Sequence, residues 1–273
     1  MTFAIAGPAL PLTLDMEATM GGTDEIGAVV KALNVLQVFS SELPRASISE
    51  VAEASGYTRP TARRILMTYE QHGFLATDGK YFWPTPKVLR LGFTYLSSLP
   101  YWDIAQPHLR LLADELEESC SLATLDGTEV VYVARVAVRR SVIQLNVGSR
   151  LPAHATSLGK AILAFSTQAT LDDYLAHATF EQLTPNTVPD RTRFSEQLEQ
   201  ARVEGFAIND GEREIGVSSV AAPLLSPAGV ALGAINVSVN SLRVPFDTLK
   251  TQYAPRLLET ARAISEEMSY SGR

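Results

Sequence analysis

Residues 48–83 read ISEVAEASGYTRPTARRILMTYEQHGFLATDGKYFW. Ile48, Val51, Ala52 and Ser55 recur at helical spacing, and Gly56 stops the pattern. Ser47 lies three residues before Glu50, the spacing of a capping box. Thr58 can cap a second helix whose first turn holds Pro60, where a missing N–H costs little. On that helix Ala62, Ile65, Leu66 and Tyr69 share an inward face. Arg59, Thr61, Arg63, Arg64 and Thr68 point outward. Gly73 ends the helix, and Phe74-Leu75 and Tyr81-Phe82-Trp83 flank Asp78-Gly79, a strong hairpin turn. Two helices about a tight turn, then a hairpin, predict a winged helix-turn-helix that places its second helix in the DNA major groove.

The outward residues suit that task. Arginine can bond guanine O6 and N7 together, and threonine can offer its methyl to thymine. Arg59, Thr61, Arg63, Arg64 and Thr68 are therefore candidate base or phosphate contacts, with Lys80 near the wing tip. The competing reading is a solvated helix face, but the hairpin in the right place and the arginine cluster together favour the reader.

Working outward, residues 1–23 are rich in Pro, Gly, Ala and Thr and read as a mobile tail. Val29, Leu33, Leu36 and Val38/Phe39 predict an amphipathic helix over 25–40, and SELPRAS reads as a loop. The reader so defined spans 24–85. Residues 86–100 predict a linker helix carrying a dimer contact, interrupted at Pro100. A helix is expected at 103–118, followed by strands at SLATLD, VVYVARV and VIQLNV. GSRLP reads as a loop, then helices are expected at 156–166 and 194–204. SSVAAPLL and ALGAINVSV predict a hairpin, and the last helix spans 246–268. Strands in an antiparallel sheet with helices at both ends make 101–273 an α+β sensor domain.

Composition narrows the class. The chain has 273 residues, enough for two domains, with 46% hydrophobic and 19% charged residues. Cys120 is its one cysteine, so an intrachain disulfide or a thiolate-rich zinc site is excluded. No apolar run reaches membrane-spanning length. The N-terminal tail lacks a basic segment and is broken by Pro8 and Pro11, so it makes a poor signal peptide and a cytoplasmic protein is expected. Taken alone, the net charge of −7 argues against DNA binding. Residues 24–92, however, carry eight basic and seven acidic side chains, while residues 93–273 carry −6. Phosphate meets the local charge, not the total.

Two stretches carry candidate ligand chemistry. In GSRLPAHATSLGKAIL (148–163), Ala155-Thr156-Ser157 opens a helix whose free N–H groups suit an anion, with His154 and Arg150 beside it. Equally, Thr156 can simply cap its own helix. Lys160 does not belong to a phosphate loop, because His154 stands where the first glycine would be. In NDGEREIGVSS (209–219) and AINVSVN (234–240), Asn209, Ser219, Asn236 and Ser238 interrupt apolar strands, and a ligand, a carbonyl or water could satisfy them. Catalysis has little support. His72, His108, His154 and His177 are scattered, there is no G-x-S-x-G or H-E-x-x-H, and nothing orients His154 as a base for Ser157. No catalytic residue, metal ligand or cofactor is expected.

TRPTARRIL, GSRLPAHATSLGKAILA and GFAINDGEREIGVSSVAAPL with GAINVSV resemble the IclR family of bacterial transcription regulators over about residues 24–270. GSRLPAHATS with TPKVLRLGFTYLSS is similar to its PcaR/PcaU/PobR-like subgroup, which controls breakdown of aromatic acids such as protocatechuate and 4-hydroxybenzoate. The resemblance implies a winged helix joined by a linker helix to a GAF-like effector-binding domain, and homodimers or homotetramers on palindromic double-stranded operators. It implies effector contacts at Ser157, Leu158, Asn209, Ser219, Asn236 and Ser238. Some relatives have Asp and Cys where Asn209 and Ser219 stand, which alters the hydrogen-bond pattern offered to a small carboxylate. For an aromatic acid, Val131, Val133, Leu145 and Leu151 could form a flat wall, and Arg135 or His154 could meet the carboxylate. The competing readings are a hydrolase-like enzyme on the same core and a DNA-binding protein with no effector.

Overall fold

Local signals set the N-terminal unit. The computed structural model describes residues 25–138 and 145–270. The expected mobile tail at 1–23 lies outside them. Helix α1 (Gly27–Gln37) leads to a two-residue strand β1 (Ala46–Ser47) and then to α2 (Ile48–Ser55). The Ser47/Glu50 capping box forms: Ser47 N–H donates to Glu50 Oε2 at 2.7 Å, and Glu50 N–H to Ser47 Oγ at 3.4 Å. Those bonds hold the Glu50 carboxyl below its ordinary pKa. Gly56, at φ 70°, ends α2 in the left-handed region that favours glycine. Thr58 caps α3 (Arg59–Gln71), and β2 (Leu75–Thr77) and β3 (Tyr81–Pro84) form the wing. Strand order is β1-β3-β2. Residues 46–47, expected in a loop, thus form an edge strand, with Ala46 opposite Phe82 and buried beneath the wing. The core joins Val35, Val51, Ala52, Ala62, Leu66, Leu75 and Phe82.

A 3₁₀ turn (Pro86–Val88) precedes α4 (Leu89–Leu96), and the chain divides into two compact units at Gly92/Phe93, inside that helix. The second unit continues through α5 (Trp102–Leu116), β4 (Ser119–Asp126), β5 (Glu129–Val136) and β6 (Arg150–Pro152). Next come α6 (Ser157–Ala164), α7 (Gln168–His177), α8 (Arg191–Glu204), β7 (Ala207–Asp210), β8 (Val217–Leu225) and β9 (Ala231–Asn240). Helix α9 (Phe246–Thr248) passes through a π turn (Leu249–Tyr253) into α10 (Ala254–Tyr270). The six strands form one antiparallel sheet in the order β6-β5-β4-β9-β8-β7.

Alternation along the strands assigns the faces. Val220, Ala222, Ile235, Val237 and Val239 pack with Leu109, Leu112, Leu257 and Ile264 of α5 and α10. Ala221 and Ala234 face the other way, onto Leu158, Ile162, Phe194 and Leu198 of α6 and α8. Three expectations need correction. GSRLP does not form a simple loop, since Arg150–Pro152 pairs with Glu129–Val131 at the sheet edge. VIQLNV lies half outside the described residues, and its described part, Leu145–Val147, forms no strand. Helix α7 and strand β7 were not foreseen as elements.

Candidate functional site

The reader helix displays its cationic face as its periodicity requires. Ala62 and Leu66 are fully buried, Thr61 is half-buried, and Arg59, Arg63, Arg64 and Thr68 are exposed. The guanidinium groups of Arg63 and Arg64 make no hydrogen bond or ion pair among the described residues, so both can take a phosphate or base without giving up a partner. Arg59 differs: its guanidinium donates to Ser49 Oγ of α2, through Nε at 3.1 Å and through Nη2. Thr68 Oγ1 donates back to the Arg64 carbonyl at 2.8 Å. At the wing tip, Gly79 has φ 94° and Lys80 stands 4.8 Å from the centre of the Tyr81 ring. Arg45 pairs with Asp78 at 2.6 Å and stacks on Tyr81 and Trp83. Backbone N–H groups of Tyr81 and Lys80, with Arg45, hold the Asp78 carboxyl below its ordinary range. Lys31 of α1 shares a groove of about 390 Å³ with Thr61, Arg64 and Thr68. The sequence reading did not count it among the DNA contacts.

In the second unit, the sheet register gathers the polar interruptions. Asn209 pairs with Ser219 across β7 and β8, and Ser219 pairs with Ser238 across β8 and β9. Asn236, two residues before Ser238, shares its face. Ser157, at the start of α6, closes over this row, and its hydroxyl lies 2.7 Å from the Ser219 hydroxyl. Together with Tyr132, Leu145, Leu151, Ala155, Thr156, Arg213 and Val217, these five residues line a cleft of about 30 Å³. Asn209 Nδ2 donates to the Ala155 carbonyl at 2.5 Å, and Asn236 Nδ2 donates to Ser238 Oγ at 3.0 Å. The other end of the Asn236 amide has no partner among the described residues, although the residue is only 2% exposed. Burial pushes the Tyr132 phenol up to about 12, so it remains a neutral donor at physiological pH. Among the described residues Arg213 is the one cation of the lining, and it pairs with exposed Glu214 at 3.3 Å.

Three expected contacts do not line this cleft. Leu158 points into the core beneath α6. His154 is turned the other way by the short 3₁₀ turn Ala153–Ala155: its Nε2 meets the Glu181 carbonyl at 3.0 Å and its ring packs on Phe180. Burial lowers its pKa. Arg135 donates to Ser121 Oγ at 3.0 Å; it stands opposite Ser121, which is itself opposite Asn236, so it borders the cleft without lining it. The hydrogen bonds of His154 and Ser157 run to different partners, which removes the geometry of a base and nucleophile. Of the expected wall, Leu145 and Leu151 line the cleft, whereas Val133 packs on the α5 face. Thr156 spends its hydroxyl as a cap, accepting from Gly159 N–H at 3.0 Å. Tyr132 and Arg213 were missed. Arg213 lies within the flagged stretch 209–219, but only residues inside strands were weighed there.

Comparison with known proteins agrees with both halves of this picture. The IclR helix-turn-helix domain matches residues 28–79, and the bacterial transcriptional regulator IclR C-terminal domain matches residues 93–266. The chain belongs to the IclR family. It is 34% identical over 266 residues to the Pca regulon regulatory protein of Pseudomonas putida, covering 97% of this chain and 90% of that protein. A solved structure from Rhodococcus sp. RHA1, described as a transcriptional regulator, superposes with a TM-score of 0.82 at 36% identity, over 90% of this chain and 100% of that one. The inducer-binding domain of the PobR transcription factor from Acinetobacter, solved as a double mutant with 3-hydroxybenzoic acid, matches at 32% identity and a TM-score of 0.55, over 60% of this chain and 96% of that one. This IclR-family chain is a ligand-responsive DNA-binding transcription regulator, built as a winged helix followed by an α+β sensor. No helix among the described residues is long and apolar enough to cross a membrane.

Proposed function

We propose that the cleft around Ser157 binds a small aromatic carboxylate of the hydroxybenzoate type, and that this binding controls operator occupancy in aromatic-acid breakdown. One observation carries the reading. Among the described residues, a buried amide end on Asn236 lacks a partner in a cleft that combines hydroxyls of Ser157, Ser219 and Ser238, a wall of Tyr132, Leu145, Leu151 and Val217, and the guanidinium of Arg213. Buried polar groups normally find partners, and a ligand can be the partner. Arg213 takes the carboxylate role that the sequence suggested for Arg135 or His154, because it lines the cleft and a guanidinium can hold a carboxylate through two parallel bonds. The 3-hydroxybenzoic acid complex of the PobR domain supports this ligand class. A cleft of about 30 Å³ has room for one or two waters, against about 300 Å³ or more in typical ligand pockets. Ligand entry therefore requires the cleft to widen.

In this reading residues 24–85 form the DNA reader, 86–100 the linker and 101–273 the sensor. Arg59, Thr61, Arg63, Arg64, Thr68 and Lys80 meet DNA, with Lys31 added beside Arg64. Two or four copies bind a palindromic operator, so that ligand in the sensors biases the spacing of the readers. Isothermal titration with 3-hydroxybenzoate, 4-hydroxybenzoate, protocatechuate and pyruvate tests the sensor. Heat is expected from the aromatic acids and loss of that heat in Arg213→Ala; no heat from any of the four removes the effector class and leaves a DNA-binding protein with an empty sensor.

A further inference from the structure

Behind the cleft lies an ion pair that none of the preceding roles uses. Lys160, on α6, and Glu212, in the turn between β7 and β8, are 1% and 6% exposed, and the Lys160 ammonium bonds Glu212 Oε1. Lys160 Nζ also donates to the Ile208 carbonyl at 3.3 Å. Glu212 Oε2 is buried and has no partner among the described residues. Such a pair is a poor choice for stability alone. Stripping water from both charges largely cancels their attraction, and a pair of apolar side chains in the same space often folds as well or better.

Its position supplies another reason. Lys160 is three residues after Ser157, so the two lie about one turn apart on α6. Glu212 immediately precedes Arg213. The pair therefore ties together the two elements that face each other across the cleft, one bearing the Ser157 hydroxyl and the other the Arg213 guanidinium. Other bonds also hold the backbone of the turn, among them Thr184 Oγ1 donating to the Gly211 carbonyl at 2.7 Å and to the Glu212 carbonyl at 3.1 Å. Gly211 N–H donates to the Val217 carbonyl at 2.9 Å, Glu212 N–H donates to Asn209 Oδ1 at 3.3 Å, and Thr187 Oγ1 donates to the Glu212 carbonyl at 2.5 Å. A cavity of about 270 Å³, lined by Lys160, Glu212, Gln197, Phe206 and Lys250 among others, backs the pair. Space on that side leaves the Glu212 side chain little to brace it except Lys160.

We propose that Lys160 and Glu212 are positioning residues for effector recognition: their buried pair sets the distance between α6 and the 211–216 turn, and so fixes Arg213 relative to Ser157. This rests on the assignment of the cleft as the effector site. The geometry makes the pair a ruler across the site and not a contact within it, because Lys160 and Glu212 are absent from the cleft lining.

The test uses the full-length protein carrying Lys160→Met with Glu212→Leu, a replacement that keeps the interior filled and leaves no unpaired charge. Hydrogen exchange without ligand comes first. Peptides spanning 209–217 are expected to exchange at least tenfold faster than in the parent protein while the unfolding midpoint is held or raised; unchanged protection overturns the proposal. Titration with 3-hydroxybenzoate comes second. An affinity at least tenfold weaker is expected, with binding to nonspecific DNA unchanged; equal or tighter binding overturns it. Glu212→Asp keeps the charge on a shorter arm and should lose less affinity than the double variant. An equal loss would mark a packing effect and sink the positioning role. If the parent protein itself takes up no hydroxybenzoate, the effector assignment fails, and the exchange measurement alone decides the role of the pair.

Discussion

The hydroxyl pair at Ser157 and Ser219 offers a measurable test of how the sensor is held closed. The two oxygens are 2.7 Å apart, at 1% and 8% exposure, one on α6 and the other on β8. Ser157→Ala removes one partner and leaves the other in a site that water barely reaches. An intramolecular hydrogen bond contributes about 0.5–1.5 kcal/mol, and a buried group left unsatisfied costs about 1–3 kcal/mol. Each single alanine variant should therefore lose about 1–2 kcal/mol. Once the first hydroxyl is gone, removing the second relieves the orphan, so the double variant should lose little more than either single one. The resulting coupling is about 1 kcal/mol. For a unit of this size each kcal/mol moves the melting temperature by about 2–4 °C. Two compact units can unfold in separate transitions, so a local probe is needed. Trp102 belongs to the sensor, with its indole N–H on the Val133 carbonyl, whereas Trp83 lies in the wing. In a Trp83→Phe background, fluorescence during urea unfolding reports the sensor alone. Losses that add independently, or singles indistinguishable from the parent, would show that this contact does not couple helix to sheet.

Three further outcomes follow from named contacts. Arg63→Ala should weaken operator binding by about 1–3 kcal/mol and relax preference at one base pair in a gel-shift series; a uniform loss on all sequences with a shallower salt dependence reassigns Arg63 to phosphate. Gly159→Ala would place a Cβ 2.2 Å from the Ala153 carbonyl oxygen, so α6 must move off its 3₁₀ turn; the sensor should lose about 1–3 kcal/mol, and an unchanged urea midpoint contradicts that approach. Burial holds the His154 imidazole below its ordinary 6.5, so the unfolded chain binds a proton more readily than the folded one. Its contribution is complete above pH 6.5 and is lost as pH falls towards the depressed folded value. Melting measured from pH 7.5 to 5 should show that decline, and His154→Gln should flatten it.

The reader was legible because its signals are local. A capping box at Ser47, a left-handed glycine at 56, a threonine cap with Pro60 and an Asp-Gly turn each act within four residues. The sensor was legible only in part. Ser219, Asn236 and Ser238 stood out as polar residues in apolar strands, but their meeting with Asn209 depends on registers between distant segments. His154 looked like a neighbour of the site because it is three residues from Ser157, yet a 3₁₀ turn sends it towards Phe180. Helix α7 buries only Leu171 and Tyr174, too few anchors to declare a period. The two- to four-residue strands β1, β6 and β7 are defined by their partners and carry no pattern of their own.

The charge distribution bears on why the proposed assembly needs more than one reader. Residues 24–92 carry only +1 overall, and Arg59 is already engaged with Ser49. Arg63, Arg64, Lys31 and Lys80 remain to approach phosphates or bases. The counterion-release contribution grows with each phosphate neutralised, at a slope of about −0.9 per contact in log binding against log salt. Three or four such contacts per reader sit well below the six to ten of a protein that binds strongly through phosphates. Two readers joined on a palindrome double the contacts and turn the second docking into an intramolecular event. A salt slope of about −2.7 to −3.6 for one reader bound to a half-site, rising towards about −5.4 to −7.2 on the full palindrome, is the expected result of filter-binding assays. An equal slope on both would mean that a single copy makes every contact, and the argument for paired readers would fail.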